Sequence, residues 1–402
     1  MSNLLIWSFS KASVTVLERL EDSEHKAYLV GGCLRDMMMG REPHDFDIAT
    51  SAGPETVMSI FSDFEVIPTG IKHGTVTVMV DGEPIEITTF RKDSDYSDGR
   101  RPDSITFTDK VEDDLSRRDF TINAMAFGLD GEIVDPFGGK SDIKSRVIRT
   151  VGSAEERFSE DGLRILRAIR FASVLGFTIG RETKEAIHKL SRMLDKVSLE
   201  RVFSEMSKII LSEKPSVQFR EFKDVFNRVA PELAGIKDFE HTLETLDRVE
   251  PELALRFTAL LHTLGEEQAE SVLRKLKSDG VTIQKVTKLV RFFDTDIDGS
   301  KVAIKKLMSK MGESDFFSLI KLKIADEPEK TVELEKARQI AERVIADKEC
   351  FKLKDMAVKG DDLIKLGMAM GPEIGKTLNM LLDKVISEEV ANDKDSLMQI
   401  IK

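Results

Sequence analysis

The chain changes its hydrophobic grammar part-way along, and that change constrains the fold more than any single residue does. Up to about residue 135, short β-rich runs alternate with turn signals: YLVGG (28–32), FDIAT (46–50), TVTVMV (75–80), PIEITTF (84–90) and INAMAF (122–127), separated by pieces such as DGEP and SDGRRPD. Beyond about residue 155 the pattern becomes charged, with apolar residues three and four apart, as in GLRILRAIRFASVLGF, SLERVFSEMSKIIL and ELALRFTALLHTLG. The first part predicts a small sheet flanked by helices, and the second predicts almost unbroken helix. Together they give an α+β chain whose mixed head leads into a helical body. At 402 residues the chain exceeds what one hydrophobic core usually serves. No internal repeat, low-complexity tract or flexible linker interrupts it.

No run approaches the roughly eighteen apolar residues of a membrane span, and the opening MSNLLIWSFSK lacks a basic start and a cleavage site. With 41% hydrophobic and 33% charged residues, the expectation is a soluble, cytoplasmic protein without a membrane partner. Cys33 and Cys350 are too few and too far apart in sequence for a disulfide framework or a four-thiolate metal site. A formal charge of −12 argues against nucleic acid, because phosphate binding displaces counterions with lysine and arginine. That charge is an average, however. Between Lys140 and Arg170, eight basic residues face five acidic ones, enough for one basic face on an acidic protein.

Asp45 and Asp47 stand two apart, so on a strand they share a face while Phe46 and Ile48 turn into the core. Adjacent carboxylates repel unless a cation lies between them, and magnesium takes carboxylate oxygens while completing its shell with water and phosphate. A solvated acidic strand end is the plain alternative. Just upstream, Gly31-Gly32 closes an apolar run and is followed by Cys33-Leu34-Arg35-Asp36. Paired glycines let backbone amides approach an anion, and Arg35 adds a positive charge. A tight turn closed by an Arg–Asp pair explains the same residues. Glu86, set among β-formers, could complete a three-carboxylate cluster for two-metal phosphoryl transfer, or could be an exposed strand glutamate.

These stretches, with Arg117-Arg118-Asp119-Phe120-Thr121-Ile122-Asn123-Ala124, Asp135-Pro136-Phe137-Gly138-Gly139, Glu160-Asp161-Gly162-Leu163-Arg164-Ile165-Leu166-Arg167 and the weaker Glu200-Arg201-Val202-Phe203-Ser204-Glu205, occur in one order. In that order the chain resembles the class II tRNA nucleotidyltransferases and their poly(A) polymerase relatives, most of all the bacterial CCA-adding enzymes. The resemblance implies a nucleotidyltransferase head over residues 1–150, a helical neck that recognises the base over 151–215, and a helical body and tail over 216–402 that binds tRNA. It implies that Asp45 and Asp47 hold catalytic Mg2+, that Gly32 and Arg35 contact the incoming triphosphate, and that Arg118 also binds the nucleotide. Asp119 and Asn123 would help place the sugar.

Asp161 and Arg164 would read the base edge. A carboxylate accepts from the exocyclic amine that cytosine and adenine both carry, and arginine donates to ring nitrogen and carbonyl. Uracil and guanine present the wrong pattern, and an unmatched polar group in a closed site is costly. If Asp161, Arg164, Arg167 and Arg170 lie on one helix, each step of three falls about 60° short of a turn, so the last lies opposite the first. Arg167 is then expected near the base. Arg170 is expected on phosphate, at the junction of head and body, or in an ordinary helix salt bridge.

The polar segment from Arg91 to Arg117 resembles the flexible loop with which CCA-adding members switch from C to A and which CC-only members lack. The expected reaction is therefore CCA addition to tRNA from CTP and ATP, with A-only addition or poly(A) synthesis as alternatives. The helical remainder would grip RNA by shape and backbone. Arg274-Lys275-Leu276-Lys277 and Lys305-Lys306-Leu307-Met308-Ser309-Lys310 are candidate phosphate contacts, although such faces are usually just solvated. Leu260-Leu261-His262-Thr263 resembles a His-Asp metal motif of some relatives, but threonine replaces the aspartate, so His262 is expected to be packed. Nothing in the sequence fixes an oligomeric state.

Overall fold

The computed structural model describes residues 9–43, 45–94 and 102–401. The chain forms two compact units, one of residues 1–213 with 217–231 and the other of 214–216 with 232–402. The expected α+β layout holds: strands gather in the first unit and the second is helical.

In the first unit, helix α1 (Lys11–Asp22) leads into β1 (Ala27–Val30), α2 (Gly32–Met38), β2 (Asp47–Thr50), α3 (Pro54–Ile60), β3 (Glu65–Gly70), β4 (Thr75–Val80) and β5 (Glu83–Thr89). A short hairpin of β6 (Arg91–Asp93) and β7 (Ile105–Phe107) follows, then α4 (Val111–Ser116), β8 (Ala126–Phe127) and β9 (Ile133–Val134). Seven strands make one sheet in the order β3-β4-β5-β2-β1-β8-β9. Its β2–β5 junction is parallel and its other pairings are antiparallel, the mixed sheet the sequence predicts.

Side-chain alternation divides the sheet between two cores. Leu29, Phe46, Ile48, Ile85 and Ile87 pack with Val16, Leu17 and Leu20 of α1 and with Val57 of α3. Val30 and Ala49, on the opposite face, pack with Val111 and Leu115 of α4. Phe46 and Ile48 are therefore buried as expected, and Asp45 and Asp47 belong to the α4 face.

Several sequence expectations need correcting. The run 122–127 is not one strand: Thr121–Asn123 forms a 3-10 turn and only Ala126–Phe127 joins the sheet. The strand β3 is not signalled by the sequence because Pro68 cannot donate to a ladder. It is nonetheless an edge strand, and its register slips between Ile67 and Gly70 where the proline lies. The segment 91–117 is not simply a loop, since its described parts supply β6, β7 and α4. Its polar tip, residues 95–101, lies outside the described residues.

The unit continues through α5 (Gly139–Ser145), β10 (Val147–Ile148), α6 (Ala154–Glu160), α7 (Leu163–Leu175), β11 (Thr178–Ile179), α8 (Arg181–Leu190) and α9 (Leu199–Ile210). The parallel pair β10–β11 is a two-residue exception to the helical pattern. The second unit holds a succession of helices from Phe239–Arg248 to Lys394–Ile401. Among the described residues, no helix is long and apolar enough to cross a membrane.

Candidate active site

At the end of β1 the chain turns through Gly31, whose φ of 78° is left-handed and favours glycine. A Cβ there would stand 3.1 Å from Arg118 Nη1 and 3.5 Å from Asp47 Oδ2, so the missing side chain leaves room between a guanidinium and a carboxylate. Asp47 opens β2, and Asp45 precedes the strand. Parallel register sets Asp47 directly opposite Glu86 of β5. Burial, then the charges of Asp45 and Glu86, push the Asp47 carboxyl up to about 6 against the partial relief of Arg118.

The segment 117–123 forms the next wall. Arg117 and Arg118 leave the end of α4 and both pair with the fully buried Asp114, at 2.7 and 3.2 Å. Arg118 Nε is buried with no hydrogen-bond partner among the described residues. Asn123 accepts from Arg35 at 2.8 Å and donates to Asp119 at 3.3 Å. Arg35 also holds Asp36 at 2.9 Å, so the Arg–Asp closure of the glycine turn is present alongside the wider network.

The motif at 135–139 supports this wall from behind. The Asp135 carboxylate accepts from the amides of Gly139 and Lys140 at 2.6 and 2.9 Å. Gly139 presses on the 3-10 turn so closely that a Cβ would lie 2.3 Å from the Thr121 carbonyl.

The third wall is the α6–α7 corner, and here the helical-wheel expectation fails at its first member. Asp161 is not on the arginine helix. It ends α6 with φ −145° and ψ 107°, and α7 begins only at Leu163. Arg164, Arg167 and Arg170 do share α7, but they fan through a partial turn and all reach one cleft, so Arg170 does not point away from it.

Each of these arginines has a defined acidic partner. Arg164 pairs with Glu160, Arg167 Nε donates to Asp119 at 2.7 Å, and Arg170 ion-pairs with Glu205 of α9 at 2.6 Å. Burial alone would raise Asp119; the charge and hydrogen bond of Arg167, with Arg164 and Asn123, overcome it and hold the carboxyl low. The ring of Phe171 lies under the guanidiniums of Arg170, Arg35 and Arg167, at 4.0, 5.2 and 5.4 Å from its centroid.

These walls enclose a cleft of about 640 Å³. It gathers Gly32, Arg35, Asp45, Asp47, Arg118, Asp119, Asn123, Asp161, Arg164, Arg167 and Arg170, every sequence-derived site residue except Glu86. It also contains Arg117 and Arg201, to which the sequence reading gave no role. Arg201 lies in the weak stretch 200–205 and binds Asp161 from α9 at 2.7 Å. Among the described residues, no three carboxylate, histidine or cysteine side chains form a ready-made metal cage, and Glu86 is not drawn into one with Asp45 and Asp47. The oxygen donors suit a hard divalent cation that takes the rest of its shell from water and substrate phosphate. The cleft thus sets carboxylates that suit such a cation at one end and the Asp161 corner with its neighbouring arginines at the other.

Comparison with known proteins shows the family. Residues 27–149 match the family described as the poly A polymerase head domain, 176–235 a probable RNA and SrmB-binding site of polymerase A, and 252–401 a putative tRNA nucleotidyltransferase domain 2. A CCA-adding enzyme of Lactobacillus delbrueckii subsp. bulgaricus is 37% identical, covering 100% of both chains. The chain belongs to the CCA-adding enzyme family. A second member, from Lactobacillus helveticus, is 37% identical over 98% of this chain and 97% of its own. Among solved structures, the Bacillus stearothermophilus CCA-adding enzyme in complex with CTP superimposes with a TM-score of 0.82 at 32% identity, covering 97% of each chain. Enzymes of this family are nucleotidyltransferases that work with a divalent metal.

Outside the cleft, the basic groups of the second unit are mostly neutralised. Arg274 pairs with Glu270 at 2.7 Å and Lys306 with Asp383 at 3.1 Å. Lys305 is buried against Glu349 at 3.0 Å, so it is not a phosphate contact. His262 is packed as expected, stacked on Phe293 at 4.2 Å and held to the Ala259 carbonyl, with burial keeping its pKa low.

Proposed function

We propose that this chain adds CCA to the 3′ end of tRNA without a nucleic-acid template, taking CTP and ATP and releasing pyrophosphate. The observation that carries the reading is the single cleft in which the Asp45–Asp47 pair and the Asp161–Arg164 corner lie together, in a chain 37% identical end to end to a CCA-adding enzyme.

Asp45 and Asp47 are the proposed ligands of magnesium, with Glu86 backing Asp47 from the adjoining strand. Bound there, magnesium supplies activation of the attacking hydroxyl and charge neutralisation on the triphosphate. Gly32, Arg35 and Arg118 are assigned to the triphosphate, and Asp119 with Asn123 to the sugar. Asp161 accepts the exocyclic amine, Arg164 donates to the ring edge with Arg167 beside it, and Arg170 completes the cationic wall. Residues 1–150 are assigned as head, 151–215 as neck and 216–402 as tRNA-binding body and tail, in a cytoplasmic enzyme.

The test is incubation with magnesium and tRNA that lacks its end, or that ends in C or CC, giving CTP and ATP singly and together. Product ending in CCA on the shortest tRNA only when both nucleotides are present is the expected result. Incorporation confined to CC-ended tRNA would mean A-only addition, and long A tails on unrelated RNA would mean poly(A) synthesis.

A further inference from the structure

We propose that Arg201 is a positioning residue for base selection, clamping the Asp161 carboxylate in the orientation that accepts an amine. The inference rests on the base-reading assignment of Asp161 and adds a residue 40 positions further along the chain.

Asp161 has left α6 and has not entered α7; its carbonyl accepts from the Arg164 amide at 3.0 Å, which ties the backbone to the start of α7 and leaves the side chain to be held by other groups. Two groups hold its side chain. Oδ1 accepts from the Leu163 amide at 3.0 Å, and Arg201 spans both oxygens, with Nη2 2.7 Å from Oδ2 and Nη1 3.4 Å from Oδ1. The planar guanidinium therefore determines how the carboxylate plane lies. Oδ1 has both lone pairs engaged. Oδ2, with one partner, has an acceptor position left for a ligand.

Arg201 can act as a fixed anchor because α9 is firmly seated. Val202, Met206, Ile209 and Ile210 of α9 are buried. Glu205, one turn after Arg201, ion-pairs with Arg170 near the far end of the α7 arginine row. One helix thus steadies the residue before α7 and the last arginine on it. Arg164 and Arg167 are committed to Glu160 and Asp119.

Cytosine and adenine present an amine donor where uracil and guanine present a carbonyl oxygen. An acceptor held still penalises that oxygen, because two lone pairs meet in a closed site. A carboxylate free to rotate can turn aside and remove the penalty. Loss of Arg201 should therefore relax selection more than it slows chemistry, which takes place at Asp45 and Asp47.

The experiment measures kcat/KM for CTP against UTP on tRNA lacking its end, and for ATP against GTP on CC-ended tRNA, with thermal unfolding of every variant. For Arg201→Gln, the C/U and A/G ratios are expected to fall at least about tenfold. Arg201→Lys, which keeps the charge but not the fork, should recover part of the loss. Asp161→Ala should relax both ratios, and the Asp161→Ala/Arg201→Gln double variant should relax them no further. The proposal is overturned if both Arg201 variants keep wild-type ratios while all four nucleotides slow together, or if the double variant loses additional selectivity. If Asp161→Ala itself keeps the ratios, the base-reading assignment falls as well. CCA addition by the unmodified enzyme is scored separately, so the failures are distinguishable.

Discussion

Asp47 and Glu86 face each other across the parallel junction of β2 and β5, paired Cα to Cα in the register. Glu86 is exposed, whereas Asp47 is half-buried beside Asp45, so the sheet concentrates negative charge at the mouth of the cleft. A carboxyl lifted from 3.8 to about 6 makes the metal-free fold bind more protons than the unfolded chain in that window. Its contribution to stability therefore declines as pH rises from about 3.8 to about 6. Asp47→Asn should abolish nucleotide addition yet raise metal-free stability at neutral pH, by up to about 3 kcal/mol. Denaturant melts in a chelator, at pH 5 and pH 7.5, check both sign and window; a variant less stable than the parent at pH 7.5 refutes the crowding argument.

Glu86 stands outside the cleft lining, so its influence passes through Asp47. Glu86→Gln is expected to weaken metal-dependent activity about 10- to 100-fold. Asp45→Asn, removing a proposed direct ligand, should cost considerably more. Titrations of activity against magnesium and manganese separate a raised metal requirement from a lowered maximum rate.

Gly162 meets the backbone of the 3-10 segment Ser191–Lys196: a Cβ would fall 2.5 Å from the Met193 carbonyl. A carbonyl cannot rotate away as a side chain can, so Gly162→Ala should displace the corner carrying Asp161. The expected stability loss is about 1–3 kcal/mol, with a larger fall in activity than in metal affinity. Equal kcat/KM for the variant and parent would show that the corner moves freely.

Asp119 is buried and depends on Arg167 for its charge balance. Arg167→Met should leave that carboxylate without its main counter-charge and cost about 3 kcal/mol. Because Asp119 has a lowered pKa, the stabilisation it lends is present above the unfolded value near 3.8 and is lost as pH falls through the lower folded value. The parent and variant curves should converge in acid. Parallel curves down to pH 3 would contradict the assignment.

Lys305 serves the interior of the second unit rather than RNA. Lys305→Met should leave the slope of log affinity for tRNA against log salt unchanged, where loss of a true phosphate contact lowers it by roughly one. Filter binding from 50 to 200 mM salt (about those limits) is sufficient to tell.

The sequence exposes those parts of the site that local spacing encodes. The glycine turn, the aspartate pair and the arginine row are readable because a strand's two-residue period and a helix's turn tie side-chain direction to sequence interval. Arg201 escapes because its partner lies 40 residues earlier, at the corner between α6 and α7, and nothing local distinguishes its charge from a solvated one. The spacing of three suggests one helix for Asp161 and the arginines, whereas the break at Gly162, where the Met193 backbone approaches closely, is a tertiary fact. Pro68 hides the strand β3, and the run 122–127 reads as one strand because buried apolar residues look alike in a 3-10 turn and a strand. The sheet order, with β2 between β1 and β5, depends on long-range pairing that no local run reveals.

The irregular margin at Pro68 affects how copies of this chain can meet. One end of the sheet is β3, with a proline inside a slipped register, and the other is β9, a strand of two residues. Neither offers a long straight row of free amides and carbonyls for another chain to template on. Continuing the sheet from one molecule into the next is therefore a poor route to self-association.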